Sequence, residues 1–135
     1  MNILLDTDIL IDVALKREAF FSFSASVINT AEKRDFSAFI AWHSISNFYY
    51  LVSSPGKKNK AKLFIKELLE FVQIAPTVTS DAKWALSLDL PDFEDALQVS
   101  AASACHAQMI ITRNIKHYKK SPIRAITPED FLKSH

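Results

Sequence analysis

The chain has 135 residues, 49% apolar and 23% charged, and sixteen basic against fifteen acidic side chains leave a net charge of +1; this fits one domain, 1–135, large enough to bury one core. It contains a single glycine, Gly56, where average usage gives about nine, which excludes G-x-G-x-x-G fingerprints, P-loops and G-x-S-x-G elbows. Its single cysteine, Cys105, excludes an intrachain disulfide framework and multi-cysteine metal sites, and points to a reducing, cytoplasmic setting.

Ile3-Leu4-Leu5 is a short apolar run stopped by Asp6-Thr7-Asp8, the pattern of a buried strand ending in acids. Ile9 to Lys16 reads as a short helix. Its apolar stretch is interrupted by Asp12 and is too short to span a bilayer, and no basic segment precedes it as in a signal peptide. Ala19 to Lys33 repeats apolar residues at three- or four-residue steps, giving an amphipathic helix. Phe36 to Trp42 has strand character, and a helix begins at Ser44. Ser53-Ser54-Pro55-Gly56 is a loop. Lys57 to Phe71 is a helix with lysines outward, and Val72 to Pro76 a strand. Ser80 to Leu88 and Phe93 to His106 are helices. Met109-Ile110-Ile111 is a strand ending at Thr112-Arg113-Asn114, and Ile123 to Ile126 a last short one. Thr127-Pro128-Glu129-Asp130 supplies a cap, a first-turn proline and two acids for a terminal helix. Strands separated by helices predict a three-layer α/β/α sandwich around a parallel sheet of about five strands.

In such sheets ligands bind beyond the carboxyl ends of the strands. Asp6 and Asp8 fall at one such end, Asn114 at another, and Asp92, Glu94 and Asp95 at the start of a helix. Each has a bland reading: a helix cap for Asp8, complementation of the helix dipole for Asp92, Glu94 or Asp95, a turn for Asn114. Together at strand ends they form a self-repelling acidic cluster that a divalent cation relieves. Oxygen ligands without thiolate or histidine favour magnesium (Mg2+) or manganese (Mn2+).

Leu4-Leu5-Asp6-Thr7-Asp8-Ile9-Leu10-Ile11-Asp12, Phe93-Glu94-Asp95-Ala96-Leu97-Gln98 and Ile110-Ile111-Thr112-Arg113-Asn114 resemble successive signatures of PIN domains. Ser121-Pro122-Ile123 and Thr127-Pro128-Glu129-Asp130-Phe131-Leu132 resemble the ending of one bacterial branch, so the likeness covers nearly the whole chain. It implies a PIN-like fold and a magnesium-dependent endoribonuclease of the VapC toxin type, with an RNA substrate and a neutralising antitoxin partner. It further implies that Asp6 and Asp95 bind metal, with Asn114 at a position that is acidic or amide in the family and Thr112 as a nearby hydroxyl. One departure stands out: the family's S-x-x-E reads Ser44-Ile45-Ser46-Asn47 here. Asn47 replaces a carboxylate, which weakens cation binding unless Glu94 or Asp92 compensates. The expected scheme therefore has Asp6, Asp95 and Glu94 on the metal, with Asn47 and Asn114 orienting ligands or water and Thr112 bonding a carboxylate or a phosphate. The alternative is a PIN-fold protein that retains RNA or partner binding with weakened catalysis.

Ten of the sixteen basic residues lie in two acid-free segments: Lys57, Lys58, Lys60, Lys62 and Lys66, and Arg113, Lys116, Lys119, Lys120 and Arg124. The first reads equally as a solvated helix face. In the second, Arg113 and Lys116 adjoin Asn114 and are expected to reach an RNA backbone. His43 is the histidine expected nearest the acidic crevice, whereas His106 and His117 lack partners at ligand spacing. Phe20, Phe21, Phe23, Phe48, Tyr49 and Tyr50 exceed what one helix face buries; the surplus suggests a homodimer surface or a partner groove. Two other α/β classes fit less well. A haloacid dehalogenase-type phosphatase shares D-x-D but has Leu10 at a usual Thr or Val position, and a receiver domain needs an acid where Ala75-Pro76-Thr77 stands.

Overall fold

Ile3, Leu4 and Leu5 are all fully buried, so the strand they form is covered on both faces and belongs in the middle of a sheet. The computed structural model describes residues 1–135 and places β1 (Asn2–Leu5) at that centre. The other strands are β2 (Ser37–Ile40), β3 (Val72–Ile74), β4 (Met109–Ile111) and β5 (Ala125–Ile126). All pair in parallel in the order β3-β2-β1-β4-β5. The register sets Leu4 between Phe39 and Ile110.

Alternation along β1 divides the core in two. Ile3 and Leu5 join a cluster formed with α1 (Thr7–Ala14), α2 (Phe21–Glu32), α3 (Trp42–Val52), α4 (Lys58–Leu68) and α7 (Pro128–Ser134). Leu4 points the other way, onto Val99, Ala101, Ala102 and Cys105 of α6 (Phe93–Ala104) and its C-cap. The remaining helix, α5 (Thr79–Ser87), packs on α6. This is the three-layer α/β/α sandwich with five parallel strands that the sequence predicts.

Several boundaries shift for local reasons. The first helix starts at Thr7 rather than Ile9 because Asp6 caps it: the Asp6 backbone is extended and Oδ1 accepts from the Thr7 N–H at 2.7 Å. Asp8 is thus in the first turn and is not the cap. The third helix begins at Trp42 rather than Ser44, and the last strand shortens to two residues. A 3-10 turn over Ile115–Tyr118 was not expected. At the C-terminus, Thr127 caps α7 by accepting from the Asp130 N–H at 3.1 Å, with Pro128 in the first turn.

The shortage of glycine has a structural consequence. Gly56 takes the left-handed conformation in the turn between α3 and α4, at φ +84°. Three helices end with the same conformation on side-chain-bearing residues: Lys16 after α1 (φ 49°), Arg34 after α2 (φ 64°) and His106 after α6 (φ 56°). Each end shows the two hydrogen bonds of a Schellman closure, as in Arg17 N to Asp12 O and Lys16 N to Val13 O. A Cβ in that region costs about 1–2 kcal/mol, and glycine escapes it. Arg34→Gly and His106→Gly are therefore each expected to raise stability by about 1 kcal/mol in urea unfolding; an unchanged or lowered midpoint would contradict the strain.

Candidate active site

The sheet grows outward from β1 in both directions, so the chain reverses its order between β1 and β4. A crevice opens at the carboxyl ends of strands at such a point. Asp6 directly follows β1 and Thr112 directly follows β4. The ladder extends to both: Asp6 N donates to Ile111 O, and Thr112 N to Ile126 O, each at 3.0 Å. Backbone geometry thus delivers a carboxylate and a hydroxyl side by side, and both are buried.

Asp6 Oδ2 accepts from Thr112 Oγ1 at 2.9 Å and from the Tyr118 phenol at 2.8 Å. Asp8 Oδ2 accepts from the Arg113 N–H at 3.0 Å and from Asn114 Nδ2 at 3.2 Å, and also stands 3.3 Å from Thr112 Oγ1. Asp95 Oδ1 lies 3.3 Å from the Tyr118 oxygen. Each hydroxyl has one proton. The Thr112 and Tyr118 protons therefore serve Asp6, over the shorter contacts, and leave Asp8 and Asp95 under-supplied. Asp8 Oδ1 is buried with no partner at all.

The electrostatics follow from that deficit. Burial pushes the Asp8 carboxyl up to about 7, reinforced by the charge of Asp6. Burial also raises Asp6, against the lowering effect of its Thr112, Tyr118 and Thr7 hydrogen bonds. Glu94 and Asp95 are raised by burial first and then by Asp6 and Asp92; the Asn47 amide opposes the rise at Glu94. A cavity of about 440 Å³ is lined by five carboxylates, from Asp6, Asp8, Asp92, Glu94 and Asp95, together with Asn47 and Asn114. Its donor set is almost entirely oxygen, which suits a hard divalent cation. No three acidic, histidine or cysteine side chains converge on one point.

The family model described as PIN domain matches residues 2–116. The chain belongs to the PIN domain family. It is similar to Ribonuclease VapC1 of Aquifex aeolicus (strain VF5), 25% identical over 96% of this chain and 92% of that protein. Among solved structures it resembles VapBC2 from Rickettsia felis, bound there to a DNA fragment from its promoter, with a TM-score of 0.72 at 20% identity over 94% of this chain and 98% of that one. VapBC-1 from nontypeable Haemophilus influenzae superposes with a TM-score of 0.67 at 17% identity, over 96% and 99% of the two chains. These structures share the PIN fold.

Within this PIN fold, four elements carry the acidic and amide groups: the end of β1 with α1, the third helix with Asn47, the sixth with Glu94 and Asp95, and the segment after β4 with Asn114; the three helices are held to one another from within. They are joined by a buried polar triad. Thr7 Oγ1 donates to Ser44 Oγ at 2.8 Å, and Gln98 Nε2 reaches Ser44 Oγ at 3.0 Å and Thr7 Oγ1 at 3.2 Å. All three side chains are buried. Gln98 lies one turn beyond Asp95, so the triad sets the distance between the opposing walls of the crevice. Asp92 takes the capping role among its neighbours, accepting from the Glu94 N–H at 2.8 Å.

Two expectations about charged groups need correction. Arg113 does not face the crevice: its guanidinium pairs with Asp12, which is wholly buried, and lies 4.1 Å over the Phe20 ring. A buried carboxylate needs a compensating cation; Arg113 supplies the hydrogen-bonded one, and Arg17 stands 3.6 Å from the other oxygen. Lys116 is exposed and does not line the cavity. His117, not His43, reaches the crevice, with Nδ1 3.2 Å from Asp95 Oδ2. His43 lines neighbouring depressions instead, and burial lowers its pKa. Tyr118 and Gln98 were missed as organising groups, and Asp8, placed in the acidic cluster, was favoured singly as a cap. The unforeseen 3-10 turn folds Tyr118 back under Asp6, and a polar residue inside the apolar run Ala96–Ala104 was the one available signal for Gln98. Arg113→Ala should lower stability by about 3 kcal/mol, because it leaves the buried Asp12 charge only the longer, half-exposed Arg17 contact, while Lys116→Ala should change it by less than about 0.5 kcal/mol; equal losses in denaturant unfolding would refute this assignment.

Proposed function

We propose that this PIN domain, spanning residues 1–135 as one unit, is a metal-dependent endoribonuclease that hydrolyses RNA phosphodiester bonds, acting as the toxin of a toxin–antitoxin pair. The observation that carries the reading is the gathering of carboxylates at the β1–β4 crevice, where Asp6 takes the Thr112 and Tyr118 protons and Asp8 and Asp95 are left short of donors. The named relative is a ribonuclease, and the similar solved structures include toxin–antitoxin complexes, which supports an antitoxin partner here as well.

Asp6 and Asp95, with Glu94 beside them, would hold magnesium or manganese. Bound there, it would supply Lewis-acid chemistry, a more acidic water and a countercharge for the phosphate. The chain's own groups do the positioning. Thr112 and Tyr118 fix the Asp6 carboxylate by donating to Oδ2. Asn114, tethered to Asp8, presents its amide at the crevice mouth. Asn47 faces the same cavity from α3 and orients Glu94 or a water. Thr112 is a positioning residue rather than a phosphate contact, because its hydroxyl is buried against the two aspartates.

Asn47 also supports a second reading, in which the fold binds RNA or a partner and cleavage is weak, since one expected carboxylate is missing. Cleavage of RNA in Mg2+ or Mn2+, its loss in EDTA, and the single variants separate the two. Asp6→Asn and Asp95→Asn should each slow cleavage by at least about 100-fold, beyond the roughly 10- to 100-fold typical of groups one step removed from a metal. Cleavage surviving both substitutions would refute the site. No cleavage with RNA binding intact would establish the second reading. Asn47→Glu is expected to tighten Mn2+ binding in titration calorimetry, and unchanged affinity would remove Asn47 from the ion's surroundings.

A further inference from the structure

With Arg113 turned inward, the crevice itself offers no free cation to draw a polyanion. A basic surface lies along α4, where Lys57 at the N-cap and Lys58, Lys60, Lys62 and Lys66 are all exposed and none is in an ion pair. Between α3 and α4 runs a groove with Trp42, Tyr49, Tyr50, Ile65 and Lys62 in its walls. Tyr50 lines both this groove and the acidic cavity, so the two are continuous across one aromatic ring. Tyr50 is 78% exposed and Trp42 68% exposed, whereas Phe48 on the same helix is buried and stacked on Phe64. The aromatic residues of α3 are thus divided into a core set and a set left in water.

We propose that the α3–α4 groove is a base-stacking subsite for single-stranded RNA, entered over Tyr50 from the acidic crevice and flanked by the lysines of α4. The proposal takes RNA as the ligand from the function proposed above and adds where its bases bind. Exposed rings that accept any base on their π-face, interleaved with lysines that follow the phosphates, are the components of sequence-tolerant single-strand binding. Exposed Trp and Tyr also occur at interfaces between copies of a chain, but lysine is depleted from such interfaces, and the row of unpaired lysines beside the rings favours a polyanion. The strand would leave the reacting phosphate at Asp6 and Asp95, cross Tyr50 and lay its next bases along Trp42. Specificity at those positions would then be weak, with a preference for unpaired segments over duplex.

The test is anisotropy of a labelled oligouridylate in EDTA, where no cleavage occurs, with sedimentation in the same buffer. Trp42→Ala and Tyr50→Ala are each expected to weaken binding by about 10-fold, and phenylalanine at either position to restore most of it. An abasic strand of equal length should bind weakly and be indifferent to these substitutions. Sedimentation should show the same mass for all variants. Equal affinity for wild type and both alanine variants would overturn the subsite, as would a fall in molecular mass on substitution, which would make this surface a contact between copies. Cleavage in Mg2+ by the wild type keeps the two readings separate. A wild type that cleaves but ignores the rings loses only the subsite; one that binds through the rings without cleaving loses only the reaction.

Discussion

A carboxylate placed just past the central strand of a parallel sheet has little water to solvate it, and Asp6 is in that position. The strand direction puts it there, and the reversal of strand order beside β4 leaves a gap above it. Its charge is met by three donors, from Thr7, Thr112 and Tyr118. Those donors are then largely unavailable to Asp8 and Asp95 nearby. The crevice therefore holds more acceptor capacity than the protein can satisfy. A hard cation is the simplest complement, and that requirement ties the fold to the proposed chemistry.

The walls of the crevice belong to separate segments of the chain, so their spacing has to be fixed elsewhere. Thr7, Ser44 and Gln98 do this from within the core, and their burial means a shift of any one element leaves a polar atom stranded. On the far side of α1, Arg113 joins the end of β4 to Asp12 and Phe20. One arginine thereby serves two purposes: its backbone N–H holds Asp8 and its guanidinium holds the helix. The near absence of glycine fits this design. The site is assembled from side-chain oxygens, and even the left-handed helix ends are made by Lys16, Arg34 and His106 rather than glycine.

The fold was legible because its signals are local. Short apolar runs ending in polar residues marked the strands, and Thr127-Pro128 marked the last helix. The acids and amides that share the crevice were also legible, since strand ends are where such residues gather in an α/β sheet. The misreadings came from non-local physics. Arg113 is adjacent to Asn114 in sequence, but the buried Asp12, about a hundred residues earlier, decides where it points. Tyr118 reaches Asp6 through a 3-10 turn with no clear sequence mark. Asp8 looked like a cap because Asp6, two residues earlier, was read as a strand end and a metal ligand and not as the N-cap it is. The surplus of aromatics in α3 was visible, yet which ring is buried depends on the register of the helix against the sheet.

The most direct test of the acidic, cation-seeking crevice is thermal unfolding of the metal-free protein with and without saturating Mn2+, for wild type and Asp95→Asn. A ligand that binds only the folded state raises the midpoint. The account predicts a clear rise for wild type and little or none for Asp95→Asn. An equal rise in both, or none in either, would contradict it.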